Sequence, residues 1–349
     1  MTIQEAYLKE VCFHFKFLAK TSRNTLKEKV SHFVVLEGVD GQIGIGECSP
    51  IYGLSIEKEE NLRIKLNEVI EQLNVQINLD DVDLKGYPSI QFALDTAIRD
   101  LHNGGQRLIF KNGFSEGKRS IHINGLIWMA DLNEMLLQVD QKVLNGFNCI
   151  KIKIGSHDFL HELAFLKDLR NKHGNDIEIR LDANGAFDPD EALDKLEKLS
   201  VFNIHSIEQP IRSGQVEMMK TICAQSPIPI ALDEELIGVD NEDAHELLSH
   251  VHPKYIIIKP SLIGRFSVCD QWIKHAESLG IGWWATSALE SNIGLNAIAQ
   301  WVSEYKSIMY QGLGTGQIYA DNIPSSLMLK GQELTYAQEN VWELKFIES

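Results

Sequence analysis

Five charged residues, each closing a short apolar run, constrain the fold more than any other feature of this sequence. They recur at intervals of 25 to 29 residues and are Lys153, Asp182, Glu208, Asp233 and Lys259. A buried parallel strand is a short run rich in Val, Ile and Leu, and a strand–helix–strand unit needs roughly 30 residues. The spacing therefore predicts successive parallel strands that each end on a charge. In a closed barrel, those ends surround one mouth.

Eight strand-like runs follow Ser120, and amphipathic segments separate most of them. The runs are IHINGLI, CIKIKI, IEIRL, IHSI, IPIAL, YIIIK, IGWWAT and SIMYQGL. An α/β barrel and an open, doubly wound sheet both fit such a pattern. The repeated terminal charges favour the barrel, because along the edge of an open sheet they could not converge.

The rest of the chain does not follow this rhythm. Residues 1–115 contain a hairpin signal at Asp40-Gly41 and two segments with helical apolar spacing, which predicts an α+β domain. We expect residues 116–320 to form the barrel with the active site. Residues 321–349 lack the strand–helix alternation and are expected to return to the first domain.

Composition excludes several classes of partner. The net charge is −16 and no basic cluster is present, which argues against nucleic acid or an anionic membrane. Five scattered cysteines without a CxxC pair indicate reduced thiols. No signal sequence is visible, and no apolar run reaches the roughly 18 residues of a membrane helix. We expect a cytoplasmic protein that acts on a small molecule, and the sequence does not indicate its oligomeric state.

The three carboxylates follow consecutive predicted strands, so Asp182, Glu208 and Asp233 should lie side by side. Three such anions repel one another unless a cation lies among them. An all-carboxylate set suits Mg²⁺, with Mn²⁺ as the alternative, and offers zinc neither His nor Cys. The competing interpretation is that each carboxylate caps the helix after its strand.

Two lysines share one face of the second predicted barrel strand. Lys151 and Lys153 alternate with isoleucines, so the lysines should face the lumen while the isoleucines face the surrounding helices. Neighbouring ammonium groups are expected to depress each other's pKa, which would suit a general base. Lys259, on the sixth strand, should lie across the mouth. This arrangement suits removal of a proton next to a carboxylate, with the metal and the lysines stabilising the enediolate.

Two polar residues could support this set from behind. Asn184 lies two residues after Asp182, and Glu234 directly follows Asp233. Glu234 could pair with Lys259 and fix its position. A solvent-facing side chain is the other interpretation for Glu234.

The motifs LDANGAF, IEQP, LDEE and IIIKPSLIG, with Lys151-x-Lys153, are similar to the muconate-lactonizing-enzyme subgroup of the enolase superfamily. Members of that superfamily use a Lys or His base with Mg²⁺. The resemblance implies a modified TIM barrel, (β/α)₇β, with an N-terminal α+β capping domain. It also implies that Asp182, Glu208 and Asp233 bind Mg²⁺, and that Lys153 and Lys259 are catalytic.

Three further stretches, INGLIWM, TSALESNIGL and QGLGTGQIYADNIP, resemble a dehydratase (carbon–oxygen lyase) of this subgroup. By that resemblance Lys153 would remove and return the proton while Lys259 stays protonated. The substrate would be a small carboxylate. The residues that the resemblance implies for substrate binding are Ser287, Glu290, Gly312, Leu313, Gly314 and Thr315 in the barrel, with Tyr52 and Arg23 in the cap.

Other activities remain open at this point. N-acylamino-acid racemases and dipeptide epimerases of the same superfamily share the site, although the epimerases typically carry Asp-x-Asp where this chain has GLGTG. A lyase that forms a Schiff base on Lys153 or Lys259 would leave the three carboxylates without a purpose. A barrel used only for binding would leave both the carboxylates and the lysines without one.

Overall fold

The computed structural model describes residues 2–20, 25–77, 81–306 and 309–348. The N-terminal part is an antiparallel sheet of order β1-β2-β3, against which two helices pack. Its elements are β1 (Ile3–Lys20), β2 (Thr25–Gly38), β3 (Ile43–Cys48), α1 (Glu59–Asn74) and α2 (Pro88–His102). The hairpin predicted at Asp40-Gly41 is confirmed, since β2 and β3 pair antiparallel around this turn.

The barrel begins after β4 (Ile121–His122) and contains seven parallel strands in the order β11-β10-β9-β8-β7-β6-β5. These strands are β5 (Gly125–Ile127), β6 (Cys149–Lys153), β7 (Glu178–Asp182), β8 (Ile204–Glu208), β9 (Ile230–Leu232), β10 (Tyr255–Ile258) and β11 (Gly282–Ala285). The helices are α3 (Leu132–Leu144), α4 (Phe159–His173), α5 (Pro189–Ser200), α6 (Val216–Gln225), α7 (Ala244–Val251), α8 (Pro260–Ile263), α9 (Phe266–Ser278) and α10 (Asn292–Val302).

A short eighth segment closes the sheet into a barrel. The Gln311 amide donates to the His122 carbonyl at 2.8 Å, and the Gly312 amide donates to the Ala285 carbonyl at 2.7 Å. Parallel bridges join Gln311 to Ile123 and Gly312 to Thr286. The eighth segment therefore bonds to both edges of the seven-stranded sheet. The modified TIM barrel, (β/α)₇β, with an α+β cap is confirmed.

Strand β6 shows why the lysines face the lumen. Ile150 and Ile152 are fully buried in the core between the strands and the helices. Successive side chains of a strand point to opposite faces, so Lys151 and Lys153 lie on the other face.

The C-terminal segment contacts both the barrel side and the cap. Strands β12 (Leu327–Lys330) and β13 (Glu333–Tyr336) form a sheet with β4, next to the barrel. Helix α11 (Lys345–Glu348) contacts β1, and the ring of Phe346 lies 4.6 Å from that of Phe33 in the cap. The domain limits expected at residues 115 and 320 stay a prediction.

None of the helices in the described residues combines the length and the apolar character that crossing a bilayer requires.

Cap stability should depend on Gly46, where β3 approaches α2 closely. A Cβ at this position would lie 1.7 Å from the Ala93 carbonyl oxygen. We expect Gly46→Ala to lower the free energy of unfolding by about 1–3 kcal/mol or more, because backbone must move to admit the methyl group. Gly314→Ala is the matched control, since its Cβ would meet nothing closer than 3.6 Å. Denaturant titration of both variants measures this, and equal stability would contradict the packing argument.

Candidate active site

A cavity of about 560 Å³ lies between the cap and the barrel mouth. Its barrel wall includes Lys151, Lys153, Asp182, Asn184, Glu234 and Lys259, together with residues 286–289 and Gly312, Gly314 and Thr315. Its cap wall includes Lys29, His32, Arg63 and residues 50–54. The carboxyl ends of the barrel strands thus face the cap, as in characterised TIM-barrel enzymes.

Strand register brings three of the predicted residues into one row. Lys153 is the parallel partner of Asp182, and Asp182 is the partner of Glu208. Asp233 directly follows β9, and Lys259 directly follows β10. Because β6 and β10 are four positions apart in the sheet order, Lys153 and Lys259 start from opposite sides of an eight-stranded barrel.

Lys151 is enclosed by carboxylates. Its Nζ lies 3.0 Å from Asp182 Oδ2 and also donates to Glu208 Oε2. Burial alone would lower the pKa of Lys151, but Asp182, Glu208 and Asp233 outweigh burial and raise that pKa. The expectation that a neighbouring ammonium group lowers the pKa is therefore wrong for Lys151, because the attraction of these three carboxylates dominates.

The other two lysines each contact one carboxylate and face the cavity. Lys153 Nζ donates to Asp182 Oδ2 at 2.9 Å and to Asn184 Oδ1 at 2.7 Å. Lys259 Nζ donates to Asp233 Oδ2 at 2.5 Å. Burial would lower the pKa of Lys259, but Asp233 and then Glu234 raise it.

The carboxylates have the properties of a cation site. Burial would raise the pKa of Asp182, but Lys151 and Lys153 hold it well below its usual range. Burial, with the charges of Asp182 and Asp233, raises the pKa of Glu208 to about 7 against the attraction of Lys151. Glu208 Oε1 and Asp233 Oδ1 are buried and lack a hydrogen-bond partner among the described residues. A divalent cation would satisfy both oxygens, since hard cations take carboxylate oxygens as ligands.

Helix capping does not account for these carboxylates. Asp188 caps α5 by accepting from the Asp190 amide, and the N-cap of α6 is Gln215. Asp233 precedes the 3₁₀ helix Glu234–Leu236 but makes no side-chain capping bond there. The competing interpretation from the sequence therefore fails for all three positions.

Asn184 links the two sides of this group. Its amide Nδ2 donates to Glu234 Oε1 at 3.1 Å, while its Oδ1 accepts from Lys153. The backbone of Asn184 has a φ of 44°, a left-handed conformation that Asn tolerates better than most residues. Lys259 forms an ion pair with Asp233, and the charge of Glu234 also raises the pKa of Lys259. That Glu234 fixes the position of Lys259 stays a prediction.

The predicted substrate-binding residues divide into two groups. Ser287 and Thr315 share a hydrogen bond of 2.6 Å at the cavity wall, which Gly312, Gly314 and Tyr52 also line. Leu313 instead packs in the barrel core.

Glu290 is fully buried outside this wall, where it accepts from Ser261 Oγ and from the Ala288 amide. Neither Leu313 nor Glu290 is among the residues that line the cavity, because the core holds the side chain of Leu313 and local hydrogen bonds hold that of Glu290. A substrate contact at either position stays a prediction. Arg23 lies outside the described residues.

Sequence reasoning missed the cap residues on β2. Lys29 and His32 line the cavity from this strand, and neither belongs to a recognisable motif. Trp128, just after β5, also lines it. The alternating pattern of the cap strands predicts that one face of the sheet is covered. It does not predict that this face borders the cavity.

Comparisons with known proteins agree with this fold. Residues 134–335 match the enolase C-terminal domain-like family. An o-succinylbenzoate synthase of Desulfotalea psychrophila is 43% identical over 91% of this chain and 95% of that protein. An L-Ala-D/L-Glu epimerase of Bacillus subtilis is 22% identical over 83% of this chain and 81% of that protein.

Solved structures give the same result. The crystal structure of MenC from Desulfotalea psychrophila superposes with a TM-score of 0.86 and 39% identity, covering 96% of this chain and 100% of that one. A muconate lactonizing enzyme superposes with a TM-score of 0.82 and 19% identity over 100% and 99% of the two chains, which supports the fold alone.

Proposed function

The chain belongs to the enolase C-terminal domain-like family, and on this premise we propose that it is an o-succinylbenzoate synthase. This enzyme is a carbon–oxygen lyase that dehydrates 2-succinyl-6-hydroxy-2,4-cyclohexadiene-1-carboxylate to 2-succinylbenzoate in menaquinone biosynthesis. The observation that carries the proposal is the 43% identity to such a synthase over nearly the whole chain. The epimerase relatives are more distant, at 22% to 27% identity.

Asp182, Glu208 and Asp233 would hold the metal ion in this proposal. Mg²⁺, or Mn²⁺ in its place, would supply positive charge close to the ring carboxylate. The two buried oxygens without partners, on Glu208 and Asp233, support this assignment.

Lys153 acts as the base and then as the acid. Its amine removes the proton from the ring carbon next to the carboxylate, and the electron pair of that C–H bond enters the enediolate. As the enediolate collapses to the aromatic ring, the C–O bond to the hydroxyl group breaks. Lys153 gives its proton to the departing hydroxyl, and water leaves. The Asn184 side chain, 2.7 Å from Lys153 Nζ, keeps the amine in position.

Lys259 contributes charge rather than proton transfer. It stays protonated beside Asp233 and Glu234, and it stabilises the electron-rich ring from the opposite side of the mouth. Ser287 and Thr315 offer hydroxyl groups to the substrate at the end of the barrel.

Conversion of the cyclohexadiene substrate, followed by its ultraviolet absorbance with and without Mg²⁺, tests the function. We expect turnover with Mg²⁺ and its loss in excess EDTA, restored by added Mg²⁺ or Mn²⁺. Turnover that persists in EDTA, or substrate trapped on a lysine by borohydride, would support a Schiff-base lyase instead. Faster racemisation of N-acylamino acids or epimerisation of dipeptides than dehydration, in parallel assays, would overturn the specific assignment.

A further inference from the structure

The cavity contains more positive groups than the proposed reaction uses. Among the described residues, the lysines and arginines that line it are Lys29, Arg63, Lys151, Lys153 and Lys259. The three barrel lysines each pair with a carboxylate of the predicted metal site. Arg63 is exposed at the cavity edge. Of these five described side chains, only Lys29 is both buried and part of the cap wall.

Lys29 is a buried cation whose described hydrogen-bond partners are neutral. It is 7% exposed, and its Nζ donates to the carbonyl and hydroxyl oxygens of Ser49. A third bond runs to the Leu289 carbonyl at 3.3 Å. No carboxylate of the described residues lies within ion-pair distance of Lys29. A buried charge is costly unless it is paired, so this arrangement calls for an anion.

The carboxylate of Glu47 is connected to Lys29 through a hydrogen-bond relay of two serine hydroxyl groups. Ser49 Oγ lies 2.8 Å from Ser31 Oγ, and Ser31 Oγ donates to Glu47 Oε1 at 2.7 Å. Glu47 is itself occupied by the amide and hydroxyl groups of Ser291 and the amide of Gly294. Burial lowers the pKa of Lys29, and Glu47 and Glu290 oppose that shift from a distance. The relay fixes the lysine without neutralising it.

The weakest of the three bonds is the one on the cavity side. The Leu289 carbonyl also accepts from the Tyr319 hydroxyl at 2.6 Å, so it keeps a partner if Lys29 turns away. Leu289 lines the cavity and has a left-handed φ of 61°. One N–H of Lys29 can therefore be redirected into the cavity without leaving a buried carbonyl unsatisfied.

We propose that Lys29 forms a carboxylate-binding subsite on the cap wall, which receives the second carboxylate of a dicarboxylate substrate. The inference rests on the proposed function, in which the ring carboxylate lies at the metal site and the succinyl carboxylate remains to be bound. In a chain of net charge −16, that second anion needs a local cation. Lys29 is the buried, unneutralised cation that the described cavity offers.

The test compares ligands with and without the second carboxylate. Calorimetry with Mg²⁺ present measures the binding of 2-succinylbenzoate and of 2-butanoylbenzoate, which lacks the distal carboxylate. We expect the unmodified protein to prefer the diacid, and Lys29→Met to weaken diacid binding about 10- to 100-fold while changing monoacid binding little. Arg63→Met is the matched control, because it removes the same charge from the exposed edge of the cavity. It should preserve the preference.

Lys29→Gln removes the charge but keeps a donor for Ser49, so it tests the inference if Lys29→Met fails to fold. Lys29→Arg should retain the preference for the diacid. An equal loss for both ligands, or a preference that survives in Lys29→Met, would assign Lys29 a purely structural role. If dehydration is absent but the diacid preference depends on Lys29, the proposed function fails and the subsite stands. If dehydration occurs with an unchanged KM in Lys29→Met, the function stands and the subsite fails.

Discussion

Replacing Lys153 with alanine is expected to lower kcat for dehydration by about 10²–10⁴-fold or more, because general acid–base catalysis commonly supplies that much. The same amine both removes the proton and returns it, so no second group in the row can substitute. Lys151 is held as an ammonium ion between Asp182 and Glu208. Steady-state kinetics with the cyclohexadiene substrate measure the loss. Mg²⁺ binding, followed by calorimetry, should remain nearly intact.

Arginine substitutions separate the two catalytic lysines. Arginine keeps the charge but does not lose its proton at accessible pH, so it cannot act as a base. Lys153→Arg should therefore be as inactive as Lys153→Ala. Lys259→Arg should keep more activity than Lys259→Ala, because the role proposed for Lys259 needs only charge. Comparable activity in Lys153→Arg and the unmodified protein would exclude proton transfer by Lys153.

The barrel was predictable because its periodicity is local. A strand and its helix occupy about as many residues as the spacing of the five charges, and alternation within β6 already assigned the lysines to the lumen. These features required no knowledge of distant contacts. Lys153 pairs with Asp182 in a regular parallel register, whereas Asp182 pairs with Glu208 only after an irregularity between the partners of Ile179 and Arg180, which the strand pattern does not predict.

What the sequence did not reveal depends on contacts between distant parts of the chain. Lys29 and Leu289 are 260 positions apart, and only the folded cap brings them together at the cavity. The raised pKa of Lys151 likewise depends on anions from three other strands. Leu313 lies within the segment GLGTG, and burial of its apolar side chain in the barrel core is more favourable than exposure in a polar pocket.

Replacing Asp233 with asparagine is expected to lower the affinity of the protein for Mg²⁺, and to slow the reaction as a consequence. The change keeps the size of the side chain but removes the negative charge beside the buried, unpartnered Oδ1. It also leaves Lys259, 2.5 Å from Oδ2, without its ion-pair partner. Even outer-shell changes at metal sites typically cost about 10–100-fold in affinity, so a lost ligand should cost at least as much. Calorimetric titration with Mg²⁺ measures this directly.

Glu235→Gln is the matched control, an acid-to-amide change two residues along the same chain segment. The Glu235 carboxylate accepts from Gln209 Nε2 and from the Gly214 amide, both at 2.9 Å, and does not line the cavity. Its replacement should therefore lower stability while leaving the Kd for Mg²⁺ unchanged. Equal Kd values for Asp233→Asn and the unmodified protein would remove Asp233 from the ligand set. Only Asp182 and Glu208 would then remain as predicted ligands, and both already contact the ammonium group of Lys151. The metal-dependent mechanism would therefore lose its structural basis.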